Sequence, residues 1–154
     1  MTSDKPQWTL AQLAEKMRDL DFCLLSTKAA DGTIAARPMS NNREVAFDGD
    51  SWFFSDDGAR MVEEIAADPQ VGLGFQGKAG VLGLRPLFIA IEGRAALVRD
   101  KAQFAEHWTK DLERWWPGGI DTPGLVLLQV TAERAHYWDG EDEGEVSLGG
   151  TRAG

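Results

Sequence analysis

The segment LFIAIEGRAALV, residues 87–98, decides the fold of this 154-residue chain. Its odd-numbered positions from Leu87 to Ile91 place aliphatic side chains on one face, and its even-numbered positions fall on the other, which is the two-residue period of a β-strand. Gly93 interrupts the alternation and predicts a bulge or a close approach of two backbones. We therefore expect a long strand that bends near its middle.

Shorter stretches rich in β-branched, aromatic and aliphatic residues lie on both sides of this segment. The turns Ala30-Asp31-Gly32 and Asp48-Gly49-Asp50 are typical of antiparallel hairpins. The short strands predicted in this way are Phe22–Thr27, Thr33–Ser40, Val45–Phe47, Ser51–Ser55, Val71–Gln76, Leu125–Thr131 and Arg134–Trp138.

Three helices are predicted, one before the first strand and two between later strands. Thr9 and Gln12 have the spacing of a capping box in front of an apolar stripe that runs to Leu20. A second helix covers Ala59–Ala67, with Asp68-Pro69 as its stop signal, and a third covers Lys101–Leu112.

The order of these elements predicts a mainly β protein. Because no strand-helix-strand unit repeats, a closed antiparallel barrel with inserted helices is favoured over a doubly wound sheet. Residues 1–140 are expected to form one domain. Residues 141–154, rich in acidic residues and glycine, are expected to form a flexible tail.

Composition limits the functional classes. Hydrophobic residues make up 43% and charged residues 27%, as in ordinary globular proteins, and the net charge is -9. An acidic protein repels a polyphosphate backbone and an anionic membrane, so neither nucleic acid nor membrane is the expected partner. The sequence has no signal-like N-terminal segment and no stretch near the roughly 20 apolar residues that span a bilayer. A cytoplasmic location is therefore expected.

The chain offers few reactive side chains of its own. Cys23 is the single cysteine and lies in an apolar run, which predicts a small core residue. His107 and His136 are in no metal-ligand pattern, so no metal site is predicted. Any catalysis would then depend on a bound cofactor.

Two arginines suggest a site for a phosphate group. Arg37 leaves one predicted strand, Ser55 ends another and Arg60 begins the second helix. Guanidinium groups present a rigid set of donors to phosphate oxygens, and a helix start adds backbone amides. Asp56 and Asp57 leave an alternative open, because acidic residues at this position often only cap the helix.

Six tryptophans occur in the chain, four of them in its last third. They are interpreted either as core and interface residues or as a wall on which a flat heterocycle could stack.

An ordered series of segments resembles one known family. The segments are Arg37-Pro38-Met39, Trp52-Phe53-Phe54-Ser55-Asp56, Val62–Gly74, Ile91-Glu92-Gly93-Arg94-Ala95, Trp108–Pro123 and Tyr137-Trp138-Asp139. They resemble the FMN-binding split barrels related to pyridoxamine 5'-phosphate oxidase, and within them the general stress protein 26 type. The resemblance extends from about Trp8 to Asp139.

The resemblance implies a six-stranded Greek-key split barrel that forms a homodimer with FMN sites at the subunit interface. Arg37 and Arg60 would bind the phosphate end of FMN, and the backbone from Pro38 to Ser40 would follow the ring edge. The implied cofactor-binding residues are Arg37, Pro38, Met39, Ser40, Phe54, Ser55, Arg60, Met61, Phe88, Trp108 and Trp116.

Two positions depart from the family pattern. Met61 stands where a lysine is common, and Phe88 stands where the oxidase has a glutamine that contacts the flavin, so pyridoxamine 5'-phosphate oxidase activity is not expected. The resemblance implies an FMN-dependent oxidoreductase of unknown substrate that acts through flavin N5, with no catalytic side chain identified. A non-catalytic flavin binder and a split barrel that binds haem or the deazaflavin F420 remain open alternatives, as does a barrel without a cofactor.

Overall fold

The computed structural model describes residues 7–40, 47–77 and 86–148. In these ranges the chain forms three α-helices: α1 Leu10–Met17, α2 Arg60–Ala67 and α3 Lys101–His107. The strands in the same ranges are β1 Phe22–Lys28, β2 Ile34–Ser40, β3 Asp50–Asp56, β4 Gln70–Gln76, β5 Leu87–Val98, β6 Leu125–Asp139 and β7 Asp142–Ser147. Two 3₁₀ helices, Lys110–Arg114 and Gly119–Asp121, connect α3 to β6.

The strands form one antiparallel sheet, which confirms the mainly β fold. Their order is β2-β1-β4-β5-β6-β3, and β7 pairs with β6 beside this path. No ladder within the described ranges joins β2 to β3, so the sheet is open there and the closed ring of hydrogen bonds predicted from the sequence is wrong for these residues. Part of the predicted strand Val45–Phe47 lies outside the described residues.

The predicted bend in β5 is confirmed. Glu92 pairs with Arg134 of β6 but Gly93 pairs with Ala132, so Glu133 is the extra residue of a bulge. A Cβ added to Gly93 would collide with the carbonyl oxygen of Thr131. The glycine is therefore required because two backbones approach closely at this point.

Strand β6 is one continuous strand where the sequence predicted two. Its first half pairs with β3 and its second half with β7, and the change of partner occurs at the bulge. The expectation of a flexible tail from residue 141 is wrong for 142–147, which form β7. Val146 and Leu148 are buried and anchor this segment, despite its acidic composition. Residues 149–154 lie outside the described ranges.

The helices follow local signals except in the third case. In α1, Thr9 and Gln12 form the predicted reciprocal capping box, with N···O distances of 2.8 and 3.2 Å. α2 ends before Asp68-Pro69 as predicted. α3 ends at His107 rather than Leu112, because Trp108 adopts an extended backbone and packs its ring on Phe54.

Two hydrophobic clusters fill the interior. The main core lies between the sheet and helices α1 and α2 and includes Leu25, Phe53, Met61 and Ile91. A second cluster lies under α3 and the 3₁₀ helices, where Phe54 and Phe104 pack against half-buried tryptophans. The neighbouring residues Phe53 and Phe54 serve different clusters because successive side chains of a strand point to opposite faces.

Candidate functional site

A buried carboxylate joins the two arginines that the sequence singled out. Glu64 is only 6% exposed, and its Oε1 accepts hydrogen bonds from the Thr27 hydroxyl at 2.8 Å and from Arg37 Nη2 at 3.1 Å. Its Oε2 accepts from Arg60 Nε at 3.0 Å. We call these four residues the Glu64 network. They come from β1, β2 and α2, so the fold itself brings the side chains together.

The two arginines of the network are held differently. Arg37 is 24% exposed, and its Nη1 donates both to the Thr27 hydroxyl and to the Leu25 carbonyl oxygen, at 2.9 and 3.2 Å. Arg60 is 70% exposed, and among the described residues its Nη atoms have no hydrogen-bond partner. Arg37 is thus largely committed to protein groups, whereas the end of the Arg60 guanidinium is open to solvent.

Glu64 is a charged group at neutral pH. The hydrogen bond from Thr27 and the nearby positive charge of Arg60 lower the pKa of this carboxyl, and together they outweigh the opposing effect of burial. Two guanidinium groups and one carboxylate leave the network with one net positive charge.

The neighbouring residues Arg37 and Pro38 face opposite sides of β2. Arg37 lies opposite Leu25, which is fully buried, and Pro38 lies opposite Leu24, which is 53% exposed. β2 is the first strand of the sheet path and pairs with β1. The Glu64 network is therefore on the inner side of this edge strand, and a different surface lies on its outer side.

That surface is apolar. It carries a cavity of about 760 Å³ lined by residues of β1, β2, β4, β5 and β6. We call it the outer face; its exposed or half-exposed large side chains are Phe22, Leu24, Pro38, Phe88 and Trp138. Gly74 and Ala90 are paired neighbours on the floor of the cavity, where their small size leaves room for a flat molecule.

The remaining predicted residues are dispersed. Phe54 is 8% exposed and lies under Trp108 and Trp116, with ring centroids 5.1 and 6.3 Å away. Trp116 also donates its indole N–H to Asp56 at 3.1 Å. Within one chain these two tryptophans are partly buried and pack against the second cluster.

Four further predicted residues are placed as follows. Met61 is buried in the main core, so its side chain offers no surface to a ligand. Ser55 is buried near the end of β3, and Met39 packs against the main core. Ser40 is exposed at the end of β2.

The start of α2 lacks the cap that the sequence offered as an alternative. Its N-cap residue is Ala59, which makes no side-chain capping bond. Asp57 instead pairs with Arg99, and Asp56 accepts from Trp116. The capping interpretation of Asp56 and Asp57 is therefore wrong.

Glu64, the central residue of the network, was not predicted as a site residue. Glu64 is four residues after Arg60, a spacing at which opposite charges meet on a helix. It also lies beside the buried Ile65 on a helix whose core-facing side is apolar, which is an unusual position for an unpaired acid. Thr27 gave no comparable signal, because an isolated threonine in a strand is ordinary.

The single cysteine and the two histidines are accounted for. Cys23 is buried in the main core, as predicted, and burial raises its pKa to about 12. His107 stacks on Trp52 with ring centroids 3.6 Å apart. His136 lies on β6 beside Ala90 and contacts Glu145 at 3.3 Å. Among the described residues no group of acidic, histidine or cysteine side chains could hold a metal ion.

In the described part of the chain, none of the helices is long and apolar enough to cross a bilayer.

Several solved structures share this fold. A protein related to general stress protein 26 from Clostridium acetobutylicum has a TM-score of 0.73 and 21% identity, over 90% of this chain and 94% of that one. General stress protein 26 from Bacillus anthracis has a TM-score of 0.68 and 20% identity, over 88% and 98% of the two chains. A heme binding protein from Mycobacterium smegmatis has a TM-score of 0.72 and 16% identity, over 93% of this chain and 60% of that one. No curated protein matches the sequence significantly.

The similarity to these structures supports the split-barrel fold, and a match of the sequence to a family model identifies the family. The family model described as pyridoxamine 5'-phosphate oxidase like matches residues 9–150, which confirms the resemblance found in the sequence. The chain therefore belongs to the pyridoxamine 5'-phosphate oxidase-like family.

Proposed function

We propose that this protein is a homodimeric FMN-binding flavoprotein that acts as an oxidoreductase on a small molecule. The observation that carries the proposal is the position of the edge strand β2. On its inner side Arg37 joins Arg60 of α2 through Glu64, and on its outer side lies an apolar cavity of about 760 Å³. FMN has the same two parts, a phosphate and a flat apolar ring system.

The Glu64 network fits a phosphate group. It has one net positive charge and an exposed Arg60 whose Nη atoms, among the described residues, are unused. Arginine binds phosphate oxygens through paired N–H donors. The first turn of α2 begins at Arg60 and has no side-chain cap, so backbone amides there add to the attraction for an anion.

The outer face fits a ring system. Its cavity is within the usual range of about 300–1,000 Å³ for small-molecule sites and is lined mainly by apolar side chains. An edge strand such as β2 also presents backbone N–H and C=O groups, which can pair with the polar edge of a heterocycle. Pro38 and Ser40 are exposed on the same side of this strand.

The outer face also supports the dimer. Phe22 is 63% exposed and Leu24 53%, next to Phe88 and Trp138 on one continuous surface. An apolar patch of this kind is typical of a protein interface or ligand site. A second subunit would cover it and would enclose the ring of the cofactor.

FMN would supply the redox chemistry, since its ring exchanges a hydride with a substrate. The protein's own residues would bind the phosphate, orient the ring and exclude water. The described residues near the cavity include no buried acid or base, so proton transfer by the protein is not part of the proposal.

The test is a comparison of FMN with riboflavin, which has the same ring but no phosphate. Absorbance and mass spectrometry of the purified protein should detect FMN. Arg60→Ala should weaken FMN binding by about 1.5–3 kcal/mol, the range for a hydrogen bond to a charged group, and Arg37→Ala should weaken it by less, because Arg37 is already bonded to protein groups. Both variants should leave riboflavin binding unchanged.

Arg94→Ala is the matched control, because Arg94 is also exposed but belongs to β5 and pairs with Glu133. A colourless protein that neither FMN nor riboflavin stabilises against heat would refute the proposal. If FMN binds but no electron donor reduces it in stopped-flow experiments, the protein is a flavin carrier rather than an oxidoreductase.

Haem is a second candidate ligand. One neighbour in fold is a heme binding protein, and His136 lies on β6 directly beside Ala90, a residue that lines the cavity. Imidazole is a common axial ligand of haem iron. A Soret band that appears on haem addition and is lost in His136→Ala would support haem, whereas an unchanged spectrum in that variant would exclude this ligation.

A further inference from the structure

We propose that Glu64 is a positioning residue for phosphate binding: it holds the Arg60 guanidinium by Nε so that the two Nη atoms face an incoming phosphate monoester. This inference rests on the proposed function and assigns a role to a residue that was not among the predicted site residues. It also divides the two arginines by role, because Arg37 then serves mainly to hold Glu64.

The hydrogen bonds support this division. Both oxygens of the Glu64 carboxylate are used, Oε1 by Thr27 and Arg37 and Oε2 by Arg60. The carboxylate is thus fixed from the sheet side by two partners, one of which, Thr27, is almost fully buried. A fixed carboxylate in turn fixes the guanidinium bound to it.

The geometry of Arg60 also supports a positioning role for Glu64. A guanidinium has five N–H donors, of which Nε–H is on the side of the aliphatic stem and the four Nη–H groups are at the far end. Bonding through Nε leaves that far end available, and 70% of the side chain is exposed. A free arginine side chain would lose rotamer entropy when it bound a phosphate, and the bond to Glu64 reduces this cost in advance.

The direction in which removal of Glu64 changes phosphate affinity distinguishes a positioning role from an effect of its charge alone. If only charge mattered, removing the acid next to an anion site would strengthen anion binding. If Glu64 positions Arg60, its removal weakens binding although the site becomes more positive. Glu63 is the matched control, because it is the preceding residue of the same helix, is exposed, and carries the same charge.

The experiment measures binding of FMN, riboflavin and inorganic phosphate to Glu64→Gln and Glu63→Gln, with ³¹P NMR for inorganic phosphate. We expect Glu64→Gln to weaken FMN and phosphate binding by about three- to tenfold, as when a charge-assisted hydrogen bond is degraded, and to leave riboflavin unchanged. Glu63→Gln should leave all three affinities unchanged or slightly raise those of the two anions. Equal or tighter phosphate binding by Glu64→Gln would overturn the inference.

A double-mutant cycle keeps the inference testable if Glu64→Gln reduces stability. In an Arg60→Ala background the further change of Glu64 should have no additional effect on phosphate binding, because the group that it positions is gone. Additive losses would show that Glu64 acts in another way. If inorganic phosphate binds with the expected pattern but FMN does not, the inference stands and the proposed function fails. If FMN binds and Glu64→Gln is neutral, only the inference fails.

Discussion

The inner and outer sides of the β1–β2 pair differ in how far their side chains find partners within one chain. On the inner side, Thr27, Arg37 and Glu64 exchange hydrogen bonds and the aliphatic side chains around them are buried. On the outer side, Phe22 and Leu24 are more than half exposed. On the inner side, among the described residues, only the far end of Arg60 is open, whereas the outer side is a broad apolar surface that a ligand or a second subunit would cover.

The short edge strand β2 borders two unlike environments, a charged network on one side and an apolar surface on the other. Successive residues of a strand face opposite sides, so Arg37 and Pro38 are neighbours in sequence but contact different environments. The alternation of this one strand separates the two environments, and α2 adds Arg60, the arginine with an open end, to the inner one.

The largest expected effect is the difference in stability between alanine substitutions at two adjacent leucines. Leu25→Ala should lower the free energy of unfolding by about 2–5 kcal/mol, because Leu25 is fully buried and the substitution leaves a cavity. Leu24→Ala, the same change one residue away on the outer side, should cost less than about 0.5 kcal/mol. Urea unfolding at low protein concentration measures both. Similar costs at the two positions would show that the outer face is covered even in the separate chain.

The next effect concerns association rather than folding. Phe88→Asp places a carboxylate on the outer face and should raise the dissociation constant of the proposed dimer by about a hundredfold, since burying an unpaired charge costs several kcal/mol. Light scattering over a concentration series gives the constant. Ala105→Asp on the exposed side of α3 is the control and should leave it unchanged. A dimer that tolerates Phe88→Asp would move the interface elsewhere.

A smaller effect is expected from the hydroxyl inside the Glu64 network. Thr27→Val should lower the free energy of unfolding by about 1–3 kcal/mol, because Arg37 Nη1 and Glu64 Oε1 each lose a partner in a buried place. Ser26→Ala removes a hydroxyl from the adjacent residue on the outer side and should cost much less. Thermal unfolding of the two variants makes the comparison, and equal losses would contradict the asymmetry.

The smallest effect is a dependence on pH. The folded protein lowers the pKa of Glu64, so the stabilisation by its carboxylate is present above the ordinary glutamate pKa of about 4.3 and is lost as the pH falls through the lower, folded value. The stability difference between the unsubstituted protein and Glu64→Gln should therefore shrink as the pH falls below about 4.3. Asp31, Asp68 and Glu92 also have lowered pKa values, so the comparison is between the two proteins at each pH.

Matched thermal denaturation of Glu63→Gln provides the baseline for that titration. Its difference from the unsubstituted protein should be small at every pH. A gap for Glu64→Gln that stays constant down to acidic pH would show that the carboxylate charge contributes nothing to the stability of the network.

The sequence predicted what depends on local patterns. The alternation of residues 87–98 gave the bounds of β5, and Gly93 gave its bulge. Thr9 and Gln12 gave the start of α1, because a capping box is formed by residues three apart. In these cases the interactions that decide the structure are between residues close in the chain.

Prediction from the sequence failed where contacts between residues far apart in the chain determine the structure. Trp108 ends α3 because its ring packs on Phe54, a contact that no local pattern reveals. β7 was not predicted because its residues are mostly acidic, although the buried Val146 anchors the strand beside β6. For the site, the two arginines were found, and the structure brings them together on Glu64; that shared partner was missed because its role depends on three separate elements.

Gly93 has a consequence for how far a local change could spread through the molecule. β3 and β7 are both hydrogen-bonded to β6, on either side of the place where Gly93 allows β6 to come close. A methyl group added there would collide with the backbone of β6, the strand to which both β3 and β7 are attached. The absence of a side chain at one residue is thus a condition for packing β5 against a strand that holds two others.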